Sequence, residues 1–174
     1  MAHDPFMPFS FSGITLKNRI VRSATHEGMA DSRGFPTPLL KEKYIQLCKG
    51  GVGAIITGYA GIRQDGKSPY QGMLMIDNDE SIAAYKDLVD AVHGHDVPIF
   101  LQIAHCGRQT RSKITGLKPV APSAILDKHF NEETPSELTV EQINVIIDNF
   151  VAAIIRAKKA GFDGVQLHAA HGYL

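Results

Sequence analysis

Residues 161–174 read GFDGVQLHAAHGYL, and this stretch decides the fold. Its Gly-Phe-Asp-Gly start is typical of a turn, and the Val-Gln-Leu that follows is typical of a short buried strand. His168, His171 and Tyr173 come directly after that strand. A strand that delivers two imidazoles and a phenol at its carboxyl end is typical of the mouth of an α/β barrel, where catalytic side chains collect.

Upstream of this strand the chain alternates strands and helices. Residues 6–16 alternate apolar and polar side chains around Ser12-Gly13, which predicts a β-hairpin. Four core strands are predicted at residues 20–24, 52–57, 98–103 and 164–167. The helices between them are predicted to begin at Thr37-Pro38, Asp77 and Thr139. This alternation indicates parallel strands joined by right-handed crossovers.

The third helix has the clearest signals. Thr139 and Gln142 form a capping box at its start, and Gly161 is placed to end it. Its apolar side chains recur at helical spacing and are expected to face inward: Ile143, Ile146, Ile147, Phe150, Val151, Ile154 and Ile155.

Two architectures fit this order, an open doubly wound sheet and a (β/α)8 TIM barrel. Because a whole barrel needs about 250 residues, these four β/α units and their preceding β-hairpin would be its N-terminal half. Long polar loops follow the strands, whereas short glycine-containing connections precede them, and this asymmetry favours the barrel. No G-x-G-x-x-G follows the first strand, so the dinucleotide fingerprint of the open sheet is missing.

Composition excludes several classes of function. Lys+Arg and Asp+Glu both number 18 in the 174 residues, so no nucleic-acid partner is expected. No apolar run approaches the roughly 18 residues of a membrane span, and the first residues lack the pattern of a signal peptide. Cys48 and Cys106 are read as two free thiols in a reducing environment, which predicts a cytoplasmic protein.

Polar side chains follow all four predicted core strands. If the strands are parallel, these side chains converge on one face. His and Tyr donate hydrogen bonds without a permanent charge near neutral pH, which suits binding a carbonyl or enolate oxygen and protonating a carbon atom. No carboxylate stands at a strand end, so hydrolysis by paired carboxylates is not favoured.

Other interpretations of these residues stay open. A single histidine at a strand end is more often structural than functional. His105, Cys106, His168 and His171 are also residue types that bind zinc. Because no acidic ligand accompanies them and no standard zinc spacing matches, the zinc site is the less favoured alternative, and no metal site is predicted.

Five segments resemble the old yellow enzyme family, which comprises flavin-dependent NAD(P)H oxidoreductases on a (β/α)8 barrel. They are LKNRIVRSAT (16–25), IITG (55–58), LQIAHCGRQ (101–109), APSAI (121–125) and GFDGVQLHAAHGYL (161–174). They occur in the family's order, with helices between them, and the resemblance runs from about residue 6 to residue 174.

The resemblance implies FMN and NAD(P)H as cofactors and assigns nine site residues. Six would bind FMN: Ser23, Ala24 and Thr25 line the flavin, His26 tunes it, Gly58 lies beside its ring, and Gln102 binds its pyrimidine edge. Three would be catalytic: His168 and His171 hold a carbonyl oxygen, and Tyr173 donates a proton. Hydride would pass from NAD(P)H through FMN to an α,β-unsaturated carbonyl, an enone or a related electrophilic alkene.

In this family the FMN phosphate site and a flavin-facing arginine follow the fourth strand. Residues 1–174 are therefore expected to form the N-terminal half of a single FMN-binding barrel domain, belonging to an ene-reductase or NADH oxidase. Open sheet edges promote association, so the half is expected to form a homo-oligomer or to associate with a C-terminal half. The alternative is a non-catalytic half-barrel that folds or associates but binds no flavin.

Overall fold

A computed structural model describes residues 4–126, 128 and 132–174. Its helices are Pro38–Lys49 (α1), Ser81–His93 (α2), the single turn Ser112–Thr115 (α3) and Val140–Ala160 (α4). Its first strands are Phe9–Phe11 (β1), Ile14–Leu16 (β2), Val21–Arg22 (β3), Ala54–Ile56 (β4), Ala60–Gly61 (β5) and Leu74–Met75 (β6). The later ones are Ile99–Ala104 (β7), Val120–Ala121 (β8), Ser136–Glu137 (β9) and Gly164–Leu167 (β10).

The central sheet is parallel and has the strand order of a half-barrel. β3 pairs with β4, β4 with β7, and β7 with β10. β5 follows β4 along the same flank of β7, so the two are halves of one strand that is interrupted at residues 57–59. β1 and β2 form the predicted antiparallel hairpin. The predicted barrel architecture is thereby confirmed in its first four β/α units.

The two faces of this sheet differ. On one face, alternate residues of β7 are completely buried beneath the helices: Ile99, Leu101 and Ile103. On the other face, Phe100 and Gln102 of the same strand are half-buried. Phe100 lines an open apolar cavity of about 520 Å³ that β1 and β2 bound from below. The covered face is the hydrophobic core, and the open face is the inside of the half-barrel.

The helix signals of the sequence are confirmed at α1 and α4. The Thr37 hydroxyl accepts from the Leu40 amide at 3.3 Å, and Thr139 and Gln142 form the predicted capping box. α2 begins at Ser81, four residues after the predicted start. The reason is a turn in which the Asn78 side chain accepts from the Glu80 amide at 3.0 Å.

The prediction for the inward face of α4 is largely wrong. Ile146 is buried and Phe150 is half-buried, but five of the predicted side chains are 38–52% exposed: Ile143, Ile147, Val151, Ile154 and Ile155. The buried stripe is instead made mainly of small residues, Ala153, Ala157 and Ala160. Alanines let α4 approach α2 and β7 closely, so the larger side chains turn away from the core.

Two further features bear on the sequence interpretation. Cys48 and Cys106 are free thiols, as predicted, and both are buried. None of the helices in the described part of the chain combines the length and the apolarity that crossing a membrane requires.

We expect Ala157→Leu to lower the free energy of unfolding by about 1–3 kcal/mol, because a larger side chain must force the α4 stripe away from its neighbours. Lys158→Leu places the same side chain at the next position, which is exposed. It is expected to change the free energy of unfolding by no more than about 0.5 kcal/mol. Denaturant unfolding measures both. Equal effects would contradict the assignment of the alanine stripe as the buried face.

Candidate active site

The carboxyl ends of the core strands meet on one rim of the half-barrel. The Gln102 amide donates to the Thr57 hydroxyl at 3.2 Å, which ties β7 to the end of β4. The His168 amide donates to the Ile103 carbonyl at 2.9 Å, which ties the terminal segment to β7. The ends of β4, β7 and β10 therefore converge as expected, and the contacts of Gly58 below add the end of β3.

Gly58 lies where the segment after β3 crosses the end of β4. A Cβ atom on Gly58 would lie 2.2 Å from Glu27 Oε2 and 2.7 Å from the Thr25 carbonyl oxygen. These distances leave no room for any side chain. Because Gly58 has no side chain, the Ser23–Ala24–Thr25 segment can approach β4 directly.

A buried ion pair holds this approach in place. Arg22 Nη2 lies 2.7 Å from Glu27 Oε1, and the Tyr44 hydroxyl donates to the same oxygen at 2.7 Å. Arg22 also donates to the Ile56 carbonyl at 3.0 Å, and the Gly58 amide donates to the Tyr44 oxygen at 3.3 Å. Burial and the neighbouring Glu27 raise the pKa of Tyr44 far above its ordinary value.

The Arg22–Glu27–Tyr44 cluster was not among the predicted site residues. The signal was available, because Arg22 and Glu27 are two charged residues that flank an otherwise uncharged strand end. The Tyr44 contact could not be found in this way, since it comes from α1, 17 residues farther along the chain.

The terminal histidines are in direct contact. His168 Nδ1 accepts from the Ala170 amide at 3.4 Å, and His168 Nε2 lies 3.0 Å from His171 Nδ1. Because Nδ1 of His168 accepts, the proton of this ring lies on Nε2, which donates to His171 Nδ1. The proton of His171 then lies on its own Nε2, and this N–H group is available to a ligand. Burial and the neighbouring His171 lower the pKa of His168, so its ring is neutral at pH 7.

Tyr173 stacks on His168 with ring centroids 4.5 Å apart. Burial, with the nearby Cys106 and Tyr59 side chains, raises the pKa of Tyr173 far above its ordinary value. Burial also raises the pKa of Cys106, to about 12. Both groups are therefore protonated at neutral pH, and Tyr173 keeps a proton that it can donate.

Tyr59 connects the two sides of the rim, although it was not among the predicted site residues. Its ring stacks on His26 at 5.1 Å and meets His168 and Tyr173 edge-on, each at 5.9 Å. The residue follows Gly58 directly, so its place beside a predicted site residue was the available signal. An aromatic cluster thus joins the segment after β3 to the end of β10.

Gln102 has a neighbour that sequence analysis also missed. Its Nε2 donates to Gln166 Oε1 at 2.7 Å, because the two residues are register partners on β7 and β10. Each amide retains further donor or acceptor capacity toward the inside of the half-barrel. This uncharged donor set fits the pyrimidine edge of a flavin, where an N–H group lies between two carbonyl oxygens.

Ser23, Ala24 and Thr25 lie at the same rim. Ser23 and Thr25 are exposed, Ala24 is half-buried, and the Thr25 hydroxyl donates to the Ser23 carbonyl at 3.3 Å. The Nε2 of His26 lies 3.2 Å from the Gln71 carbonyl oxygen. The structure therefore brings all nine predicted site residues to one end of the sheet.

The four residues of the zinc alternative do not gather into a metal site. Within residues 4–126, 128 and 132–174, no group of three or more His, Cys, Asp or Glu side chains is arranged to hold a metal ion. His105 is instead buried against Asp65, with Nε2 3.3 Å from Oδ1, and Arg63 donates two bonds of 2.8 Å to the same carboxylate.

A family model for the NADH:flavin oxidoreductase / NADH oxidase family matches residues 4–174. The chain belongs to this family. It is 38% identical over 177 residues to the NADH oxidase of Thermoanaerobacter brockii, covering 100% of this chain and 27% of that protein. It is 37% identical over 176 residues to the NADPH dehydrogenase of Halalkalibacterium halodurans, covering 100% of this chain and 50% of that protein.

Solved structures agree with this membership in the NADH:flavin oxidoreductase family. The old yellow enzyme homologue from Zymomonas mobilis superposes with a TM-score of 0.88 at 33% identity, over 99% of this chain and 50% of that one. Morphinone reductase in complex with tetrahydroNAD superposes with a TM-score of 0.92 at 28% identity, over 99% and 51%. The expected family, barrel fold and cofactors, FMN and NAD(P)H, are confirmed. The chain spans between 27% and 51% of the length of these relatives.

We expect Gly58→Ala to lower the free energy of unfolding by about 1–3 kcal/mol, because its methyl group would overlap Glu27 and the Thr25 carbonyl. Gly94→Ala is the matched control, since a Cβ there meets only atoms 3.5 Å away, and it should be neutral or stabilising by up to about 1 kcal/mol. Thermal and denaturant unfolding compare them. A Gly58→Ala protein as stable as Gly94→Ala would contradict the close approach.

The Asp65 carboxylate gives a pH-dependent prediction. Burial alone would raise the pKa of Asp65, but hydrogen bonds from His105 and Arg63 outweigh it and lower the pKa well below its ordinary value. The resulting stabilisation is complete above the unfolded pKa of about 3.9 and is lost as the pH falls below it. Asp65→Asn should therefore lower the free energy of unfolding at pH 7. The variant should also lose less of that free energy than the wild type as the pH falls from about 5 to about 2.

Asp96→Asn is the control for this experiment, because Asp96 is exposed and its positive φ of 55° is one that asparagine also adopts. Urea unfolding at a series of pH values measures both variants. Identical pH profiles for Asp65→Asn and Asp96→Asn would show that the buried carboxylate does not contribute.

Proposed function

We propose that this chain supplies the FMN-facing and substrate-facing residues of an ene-reductase, which transfers hydride from NAD(P)H to an α,β-unsaturated carbonyl compound. The observation that carries the proposal is the contact among His168, His171 and Tyr173, on the same rim as Thr25 and Gly58. A protonated phenol beside the neutral His168 ring and its partner His171 matches a reaction that needs one proton donor and hydrogen bonds to one oxygen.

FMN, when bound, supplies hydride to the β-carbon of the alkene. Main-chain groups of Ser23, Ala24 and Thr25 would lie along its ring, and Gln102 would bind its pyrimidine edge. Gly58 leaves the rim free of a side chain where the segment after β3 comes closest to β4. His26, stacked on Tyr59, would form one side of the flavin site.

The histidine pair would bind the carbonyl oxygen of the substrate. The Nε2–H of His171 is the available donor, and His168 fixes its tautomer by donating to Nδ1. The substrate oxygen can accept from both rings only if it displaces the bond between them. Each donor to the developing enolate oxygen is worth roughly 3 kcal/mol.

Tyr173 would protonate the α-carbon. Its raised pKa keeps the phenol protonated at neutral pH, and its ring stacks on His168, one of the two histidines that would bind the carbonyl oxygen. Binding, orientation and proton donation would thus come from three residues within one six-residue segment.

Exposed apolar side chains on α4 and β10 support the proposed association with a C-terminal half or with a second copy of the chain. The α4 side chains Ile143, Ile147, Val151 and Ile155 are 39–52% exposed, and Leu167 on the last strand is 58% exposed. Further β/α units of the same barrel would bury these apolar surfaces, and a second copy of the chain is the other candidate.

The proposed location is a reducing cytoplasm, because Cys48 and Cys106 are buried free thiols.

The test uses the complete gene product loaded with FMN. In Tyr173→Phe, reduction of the flavin by NAD(P)H should proceed at the normal rate, whereas its re-oxidation by 2-cyclohexen-1-one should slow by about a hundredfold or more. Tyr85→Phe is the matched control, because Tyr85 is buried in the core against Phe162, and both half-reactions should be unchanged. Stopped-flow absorbance of the flavin measures both steps.

Unchanged enone reduction in Tyr173→Phe, with normal flavin reduction, would show that Tyr173 is not the proton donor. A gene product that neither purifies with FMN nor takes it up would favour the alternative of a non-catalytic half-barrel.

A further inference from the structure

The chain makes a tight turn at His171, one of the two histidines that would bind the substrate. The Tyr173 amide donates to the Ala170 carbonyl at 3.1 Å, and both residues between them have a positive φ, 59° at His171 and 69° at Gly172. Two left-handed central residues define a type I′ turn. Glycine suits the second of these positions, whereas a left-handed backbone is uncommon for a residue with a side chain. A bond that holds the His171 peptide would therefore stabilise this turn.

Gln109 supplies such a bond from the segment that follows β7. Its Nε2 donates to the carbonyl oxygen of His171. A Cβ atom on Gly172 would lie 2.9 Å from the same nitrogen, so the Gln109 amide group lies directly against the peptide between His171 and Gly172. The backbone of Gln109 is itself fixed, because its N–H donates to the Cys106 carbonyl at 2.9 Å. The segment after β7 thus holds the turn after β10 in place.

The two histidines of the pair are restrained unequally. His168 is 8% exposed, and its backbone is bonded to Ile103, so packing and the sheet both fix its ring. His171 is exposed, and the position of its ring depends more on its backbone. Its Nδ1 lies 3.0 Å from His168 Nε2 in the left-handed conformation. A change in φ or ψ at His171 would carry the Cα–Cβ bond, and with it the ring, away from His168.

We propose that Gln109 is a positioning residue for His171. By donating to the His171 carbonyl, Gln109 holds the left-handed turn that keeps the two imidazoles in contact and presents the Nε2–H of His171 to the substrate oxygen. Gln109 acts through the backbone of His171 and not on the substrate. The inference rests on the proposed function of the histidine pair.

The energetics indicate a local effect. The His171 residue is exposed, so water can take the place of the Gln109 donor at its carbonyl, and the bond contributes little net stability to the fold. Water does not restrict the direction of the peptide, whereas the fixed amide group does. Loss of Gln109 should therefore loosen the turn without changing the unfolding temperature.

Three variants of the complete gene product, loaded with FMN, test this role. Gln109→Met removes the donor and keeps the length of the side chain, and Gln109→Lys keeps a donor at the end of the side chain. Gln46→Met is the matched control, because it makes the same substitution at an exposed position of α1.

The first test follows the turn without a substrate. In protein labelled with nitrogen-15 tyrosine, NMR measures how fast the Tyr173 amide hydrogen, which is bonded to Ala170 in the turn, exchanges with solvent. Gln109→Met should accelerate this exchange by about fivefold or more, because the turn opens more often. Gln109→Lys should restore the wild-type rate to within about twofold, and Gln46→Met should not change it. An unchanged rate in Gln109→Met would overturn the proposal.

The second test measures binding of 4-hydroxybenzaldehyde, a flat molecule with oxygen acceptors at both ends, from the change in flavin absorbance. Gln109→Met should weaken binding about five- to tenfold, which is the effect of one misplaced hydrogen-bond donor. In a His171→Ala background the same substitution should have no further effect, because Gln109 acts only through His171. Gln109→Lys and Gln46→Met should bind the probe as the wild type does.

The outcomes separate this inference from the proposed function. If His171→Ala weakens binding of the probe but Gln109→Met does not, the positioning role is wrong and the proposed function stands. If Gln109→Met weakens binding equally with and without His171, Gln109 acts independently of the histidine, and the positioning role is again wrong. If His171→Ala leaves binding unchanged, the proposed role of His171 fails, and the inference fails with it.

Discussion

The buried ion pair between Arg22 and Glu27 is the interaction on which the rest of the rim depends. Arg22 donates to the carbonyl of Ile56, and Glu27 accepts from Tyr44, so β3, β4 and α1 are joined through two largely buried charges. Removing either charge would leave the other buried and unpaired, which costs about 3–5 kcal/mol. The geometry of the close approach at Gly58 is therefore held by electrostatics as well as by packing.

This constraint explains why β4 and β5 are separate strands. At residues 57–59 the chain leaves the ladder, the Thr57 hydroxyl accepts from Gln102, and Gly58 makes room for the segment after β3. Tyr59 then points its ring across the rim toward His168 and Tyr173. The same interruption thus clears one side of the site and supplies an aromatic wall to the other.

The failed prediction on α4 shows where periodicity stops being informative. Isoleucine and valine repeat at helical spacing on more than one face of this helix, and so does alanine. The face toward α2 is decided by how closely two helices can approach, which depends on the partner helix. The apolar pattern predicted a helix with two apolar faces. Only the packing decides that the face with Ala153 and Ala157 is buried and the isoleucine face is not.

The sequence by itself determined the alternation of strands and helices, the helix caps at Thr37 and Thr139, and the clustering of His168, His171 and Tyr173, because these depend on neighbours within a few residues. Only the tertiary structure decided which side chains meet across strands. Gln166 beside Gln102, and Tyr44 beneath Gly58, are brought together by strand register and helix packing. Such contacts join residues far apart in the chain, and no local spacing encodes them.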